Sequence, residues 1–195
     1  MRTANIKRDT RETQIQLTLN LDGTGRSGVS TGVGFLDHML ELFARHGDFD
    51  LDLTCRGDTQ VDFHHSVEDS GICLGRAFAE ALGDKRGITR YGQFLLPMDE
   101  TLVLCAVDLS GRDYLGWAVD LPARKVGDFD TELAKEFWLG FVRNCPGSIH
   151  IRQLAGENTH HILEAVFKGM GRALKMAAAP DEKHRDEIPS TKGVL

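Results

Sequence analysis

The chain has 195 residues, 41% hydrophobic and 27% charged, an ordinary balance for a globular protein long enough to bury a core. A net charge of −6 argues against a nucleic-acid binder held by general electrostatic attraction, but leaves room for a local basic pocket for a small anion. No apolar run approaches the ~18–20 residues of a membrane span and no signal-peptide core opens the chain, so a cytoplasmic protein without membrane partners is expected.

Taken in order, Ile15 to Leu21 alternates apolar and polar residues, predicting a strand with one buried face, and Asp22-Gly23-Thr24-Gly25 supplies a turn. Thr31-Gly32-Val33-Gly34 reads as a glycine turn. Phe35 to Phe43 repeats apolar residues at helical spacing, and Phe49 to Leu53 is a second alternating strand. A helix then carries His64-His65-Ser66-Val67-Glu68, with Asp62 available to cap it and Gly83 fitting its C-terminal cap. The same order follows again: a strand over Leu102 to Val107, a helix over Thr131 to Val142, and a strand over Ser148 to Leu154. A long helix starts near His160, with Asn158 or Thr159 as N-cap, and Pro180 ends it.

The second copy of the motif, His160-His161-Ile162-Leu163-Glu164, lies 96 residues after the first at every position, and Gly75-Arg76-Ala77 falls on Gly171-Arg172-Ala173. Phe43-Ala44-Arg45 lies over Phe141-Val142-Arg143 at an offset of 98, which also pairs His38 with Glu136. The repeat predicts an α+β fold built by internal duplication, each unit a sheet with helices packed on one face. The boundary is placed near Gly87–Gly92, giving units over 1–88 and 89–180 and a charged tail over 181–195. By default such a tail is a disordered end.

HHxxE places residues i and i+4 on one helix face and turns residue i+1 about 100° away. His64 with Glu68, and His160 with Glu164, therefore point together, while His65 and His161 diverge. Adjacent imidazoles at a helix N-terminus repel when protonated and face the unfavourable end of the dipole, a cost that a bound cation offsets. Imidazoles with carboxylates suit a first-row divalent ion: manganese, iron, cobalt or zinc. His38 and Glu136 are both ligand types and shift towards the same reading. Glu157 and Asp69 read as solvated groups or as groups that orient histidines. The four cysteines form no CxxC pair and read as buried free thiols.

Phe35-Leu36-Asp37-His38-Met39, Asp62 to Asp69, His150 to Gly156, Asn158 to Ala165, and the tail Ile188-Pro189-Ser190-Thr191-Lys192-Gly193-Val194-Leu195 form a set of stretches. Together they resemble the imidazoleglycerol-phosphate dehydratase family of histidine biosynthesis. The resemblance implies dehydration of imidazole glycerol phosphate to imidazole acetol phosphate. It implies two divalent ions per subunit, manganese first among them, held between subunits of a 24-subunit homo-oligomer. The implied metal ligands are His38, His64, His65, Glu68, His160, His161 and Glu164. Glu136 stands at a further ligand position usually filled by histidine. The phosphate contacts implied are Arg90, Arg112, Ser190 and Lys192, with Lys168 beside them and the tail ordering over the substrate. Glu12 is the acid/base that the resemblance favours, with Glu68 or Glu164 as alternatives. A di-metal phosphoester hydrolase and a metal-storing shell are the competing classes. The first leans on bridging aspartates where this chain has imidazoles, and the second gives the basic tail residues no work.

Overall fold

The structure, a computed structural model, describes all residues 1–195. The chain order is β1 (Thr3–Asp9), β2 (Thr13–Asn20), β3 (Ser27–Ser30), α1 (Gly34–Gly47), β4 (Asp50–Gly57), α2 (His64–Leu82), β5 (Tyr91–Met98), β6 (Thr101–Asp108), β7 (Tyr114–Ala118), β8 (Lys125–Val126), β9 (Phe129–Asp130), α3 (Leu133–Asn144), β10 (Ser148–Ala155) and α4 (Thr159–Ala178). The first sheet runs β1-β2-β4-β3 and the second β5-β6-β10-β7. Each is antiparallel except at its last pair, β3 with β4 and β7 with β10.

The duplication therefore extends to topology and register. Leu17 faces Leu53 in the first sheet, and Cys105 faces Ile151 in the second, which relates β2 to β6 at an offset of 88 and β4 to β10 at 98. The eight predicted elements are all present. The strands β1, β3, β5 and β7 escaped the sequence reading because they are edge or near-edge strands, mixed in composition and with weak alternation in burial. The β8–β9 hairpin is an insertion in the second half alone.

Helices of each half cover one face of their own sheet: α2 lies on β1 and β2, and α4 lies on β5 and β6. The opposite helix faces then pack across the halves, α2 on α3 and α1 on α4, so the layers run sheet, helices, helices, sheet. Phe43, Phe78, Phe137, Trp138, Phe141 and Phe167, all fully buried, meet where the four helices converge. The core is continuous across both halves. No helix is long and apolar enough to cross a membrane.

Close helix approach depends on two glycines related by the repeat. A Cβ at Gly75 would lie 2.3 Å from the Phe141 carbonyl oxygen, and one at Gly171 would lie 2.6 Å from that of Phe43. Neither carbonyl can retreat without moving its helix. Gly171→Ala should therefore cost about 1–3 kcal/mol, the usual penalty for overpacking a filled interior. Urea unfolding at fixed protein concentration measures it, and an unchanged midpoint would mean that the helices do not cross this tightly.

Candidate metal centre

Both histidine pairs sit in the first turn of a long helix, and a side chain two residues earlier holds that turn. Asp62 Oδ1 accepts the His64 N–H at 2.8 Å, and its repeat counterpart Asn158 accepts the N–H groups of His160 at 2.9 Å and His161 at 3.3 Å. The rings of each pair stand nearly perpendicular, at 82° and 87°, so one helix end presents imidazoles in two directions.

The crossing of α1 on α4 brings His38, His160 and Glu164 together, with their ligand atoms all within 4.8 Å of one another. His38 Nε2 lies 3.0 Å and His160 Nε2 3.1 Å from the same oxygen, Glu164 Oε1. Lys168 Nζ donates to the other oxygen at 2.5 Å. Burial alone would raise the Glu164 carboxyl. The Lys168 ammonium and the two imidazoles outweigh it and lower the group to about 2. A cleft of about 400 Å³ opens over His38 and His160, lined by Phe35, Phe63 and Phe129.

The counterpart group is looser. His64 Nε2 is 3.8 Å from Glu68 Oε2. Glu136 lies half-buried in the first turn of α3, the helix packed on α2, and makes no ion pair of its own.

The second histidine of each pair turns to carboxylates from other elements. His65 Nδ1 donates to Asp58 Oδ2 at 3.0 Å, with Glu12 Oε1 at 3.8 Å from its Nε2. His161 Nδ1 donates to Glu100 Oε2 at 2.9 Å, with Asp99 at 3.9 Å from its Nε2. These partners raise the pKa of both imidazoles, Asp58 acting chiefly on His65 and Glu100 on His161. Asp58 and Glu100 did not emerge from the sequence. The signal for Glu100 is there, since Asp99-Glu100-Thr101 repeats Arg11-Glu12-Thr13 at the offset of 88.

Asp69 is neither solvated nor set against a histidine. It is buried, paired with Arg8 at 2.8 Å, and accepts the Thr13 hydroxyl at 2.5 Å. It thereby holds the β1–β2 hairpin that carries Glu12. Glu157 is exposed, as expected.

The basic residues gather elsewhere. Arg90 pairs with Asp108 at 2.7 Å, and its Nη1 donates to the Pro189 carbonyl at 2.8 Å, so the tail is tied to the second half beside Ser190. Leu195 lies against Gly111, next to the exposed Arg112 and near Lys192 in the same tail. The tail is thus docked rather than loose: Gly87 N–H donates to the Glu187 carbonyl and Asp181 N–H to that of Gly87. Lys168 stands apart from this group, bound to Glu164. Arg90 N–H meets the Ala177 carbonyl at the far end of α4. Seventeen residues of helix from His160 to Ala177, at about 1.5 Å each, put roughly 25 Å between the basic cluster and the imidazoles of the same chain.

Free histidine titrates near ~6.5. The raised values of His65 and His161 mean that their carboxylate pairs stabilise the fold fully below that pH and lose the contribution as pH rises through the folded-state values. After chelation, the thermal midpoint should fall between about pH 6 and about pH 8, and a D58N/E100Q double variant should show a flatter slope. Equal slopes would rule out the pairs as its source.

Residues 31–174 match a sequence model of the family described as imidazoleglycerol-phosphate dehydratase. The chain is 59% identical over 194 residues to an imidazoleglycerol-phosphate dehydratase of Pelobacter propionicus, covering 100% of this chain and 99% of the relative. It is 54% identical over 195 residues to that of Xanthobacter autotrophicus, at 100% and 99% coverage. Among solved structures, it resembles the dehydratase of Staphylococcus aureus subsp. aureus N315 with a TM-score of 0.84 and 41% identity, over 91% of this chain and 98% of that one. It resembles the Pyrococcus furiosus protein in complex with (S)-C348 with a TM-score of 0.85 and 40% identity, over 97% and 100%.

Proposed function

This chain belongs to the imidazoleglycerol-phosphate dehydratase family and is a hydro-lyase of histidine biosynthesis; from that premise we propose that it works with two divalent ions per subunit, manganese foremost. The observation that carries the proposal is the convergence of His38 Nε2 and His160 Nε2 on one buried oxygen of Glu164. The donor set fits such an ion: two imidazole nitrogens and a carboxylate held ionised, with room for further ligands over the cleft. One ion is held by His38, His160 and Glu164, and the other by His64, Glu68 and Glu136. His65 and His161, turned outwards from their own clusters, complete the sites of neighbouring subunits.

When bound, the ions supply Lewis-acid stabilisation of the substrate's imidazole ring. The chain's own residues do the rest. Glu12 is the group suited to proton transfer, because its side chain is 56% exposed and its nearest charged partner is His65 at 3.8 Å. Protonated Glu12 gives its proton to the C3 hydroxyl, which leaves as water, and the carboxylate then takes the proton from C2; the resulting enol becomes the ketone. Glu164 is a poor shuttle by comparison, since Lys168 and two imidazoles hold it ionised.

Arg90, Arg112, Ser190 and Lys192 take the phosphate, where guanidinium forks and hydroxyl donors suit its oxygens. Lys168 joins the site through Glu164. The roughly 25 Å between this group and the imidazoles of the same chain exceeds the span of so small a substrate. The phosphate-binding residues of one subunit therefore serve the imidazole cluster of another, which makes self-association part of the active site; the size of that assembly, 24 subunits, is what the family resemblance implies. The assembly works in the cytoplasm.

Chelation should abolish activity on imidazole glycerol phosphate, and manganese should restore it, with about two ions per chain. Full activity after complete stripping would end the metal assignment. E12Q should lower kcat by about 10²–10⁴-fold while leaving the metal content unchanged. Wild-type turnover in that variant would remove Glu12 from the chemistry.

A further inference from the structure

The two halves share a frame but divide one task differently. Thr13 and Thr101 are buried and open β2 and β6, so Glu12 and Glu100, one residue earlier in each hairpin, are counterparts. Asp58, just beyond β4, has Glu157 as its counterpart, because a bulge in β10 between Gln153 and Ala155 moves the offset from 98 to 99. In the first half Asp58 meets the ring, with both its oxygens within 3.2 Å of His65 Nδ1. In the second half no side chain meets the ring from that position: Glu157 is exposed, and only its backbone N–H is engaged, donating to Glu100. Glu100 reaches the ring instead, at 2.9 Å.

Glu100 is fully committed. Its Oε2 takes the His161 Nδ1–H, and its Oε1 accepts the N–H of Asn158 at 2.9 Å, the N–H of Glu157 at 3.2 Å and the Thr101 hydroxyl at 3.0 Å. Asn158 in turn caps the helix that carries both second-half histidines. A carboxylate on Nδ1 keeps the proton there and leaves the Nε2 lone pair aimed outwards, which is the arrangement a metal-binding imidazole needs. Glu12, freed of that duty by Asp58, has no such bonds.

We propose that Asp58 and Glu100 are positioning residues, each fixing the tautomer and direction of the second histidine of its pair, and that this substitution of Asp58 for the hairpin glutamate is what releases Glu12 for proton transfer. The proposal rests on the metal and Glu12 assignments above. It extends to Asp58 and Glu100 a division of labour between repeat counterparts.

The test compares E12Q, E100Q and D58N in the assembled protein, reading Mn²⁺ affinity, kcat at saturating Mn²⁺, and the ring positions in crystal structures. E100Q and D58N should bind Mn²⁺ about 10–100-fold more weakly, the usual cost of removing a carboxylate behind a histidine ligand. Their kcat should return as Mn²⁺ is raised, and the His161 or His65 ring should be rotated. E12Q should show the reverse, unchanged affinity with kcat lost. If E100Q binds Mn²⁺ like wild type and loses turnover like E12Q, the counterparts share one role and the proposal falls. Should E100Q fail to assemble, D58N decides, because the Asp58 carboxylate bonds only to His65. A wild type active without any metal would sink the metal assignment by itself. The ring positions would then settle the orienting role, and unmoved rings would overturn it.

Discussion

The site depends on how closely two pairs of helices cross. Where α1 meets α4, the Gly171 backbone sits against the Phe43 carbonyl, and the same contact recurs between Gly75 and Phe141 where α2 meets α3. Six large aromatic side chains fill the space between the crossings. That packing sets the separation and phase of the helices, and therefore where side chains near their N-termini can meet. His38 and Glu164 belong to different halves of the chain, 126 residues apart, yet their atoms lie 3.0 Å from each other. A shift of a helix by the width of one methyl group would break that contact.

Charge at the site follows from burial. A carboxylate with a side chain only 9% exposed is costly unless it is compensated, and Glu164 is compensated by Lys168 and two imidazoles. Such a group is a rigid anion, suited to holding a cation and unsuited to exchanging protons. Glu12, at the tip of a hairpin that Asp69 clamps through Arg8 and Thr13, has the opposite character: fixed backbone, free carboxylate. In the proposed function, burial and exposure thus assign different work to two residues of one type.

The duplication also bears on the proposal that a site is completed between copies of the chain. The HHxxE turns lie at the N-terminal ends of α2 and α4, whereas the docked tail and its arginines lie at the C-terminal ends, a helix length away. Duplicating the unit doubled the imidazole clusters without bringing them to the basic end. In the proposed function another copy of the chain does that, which would couple catalysis to assembly.

The sequence by itself determined much of this protein. The period-two and helical patterns of the central strands and all four helices, the two HHxxE turns and their constant offset need only local chain geometry to be read. The splitting of each histidine pair follows from the helical angle alone. Edge strands such as β3 and β7 were not legible, because half-exposed strands do not alternate cleanly. Nor were the partners of the imidazoles and of Arg90: Asp58, Glu100 and Asp108 are ordinary surface carboxylates until the fold sets them against His65, His161 and Arg90. The tail reads as loose by composition, and Arg90 and Gly87 tie it down. The burial of Asp69 was equally invisible, since its partner Arg8 is on another element. Period, capping and repeat live in the near neighbours of a residue, but which charge meets which is decided by strand register and helix crossing, and those are properties of the packed whole.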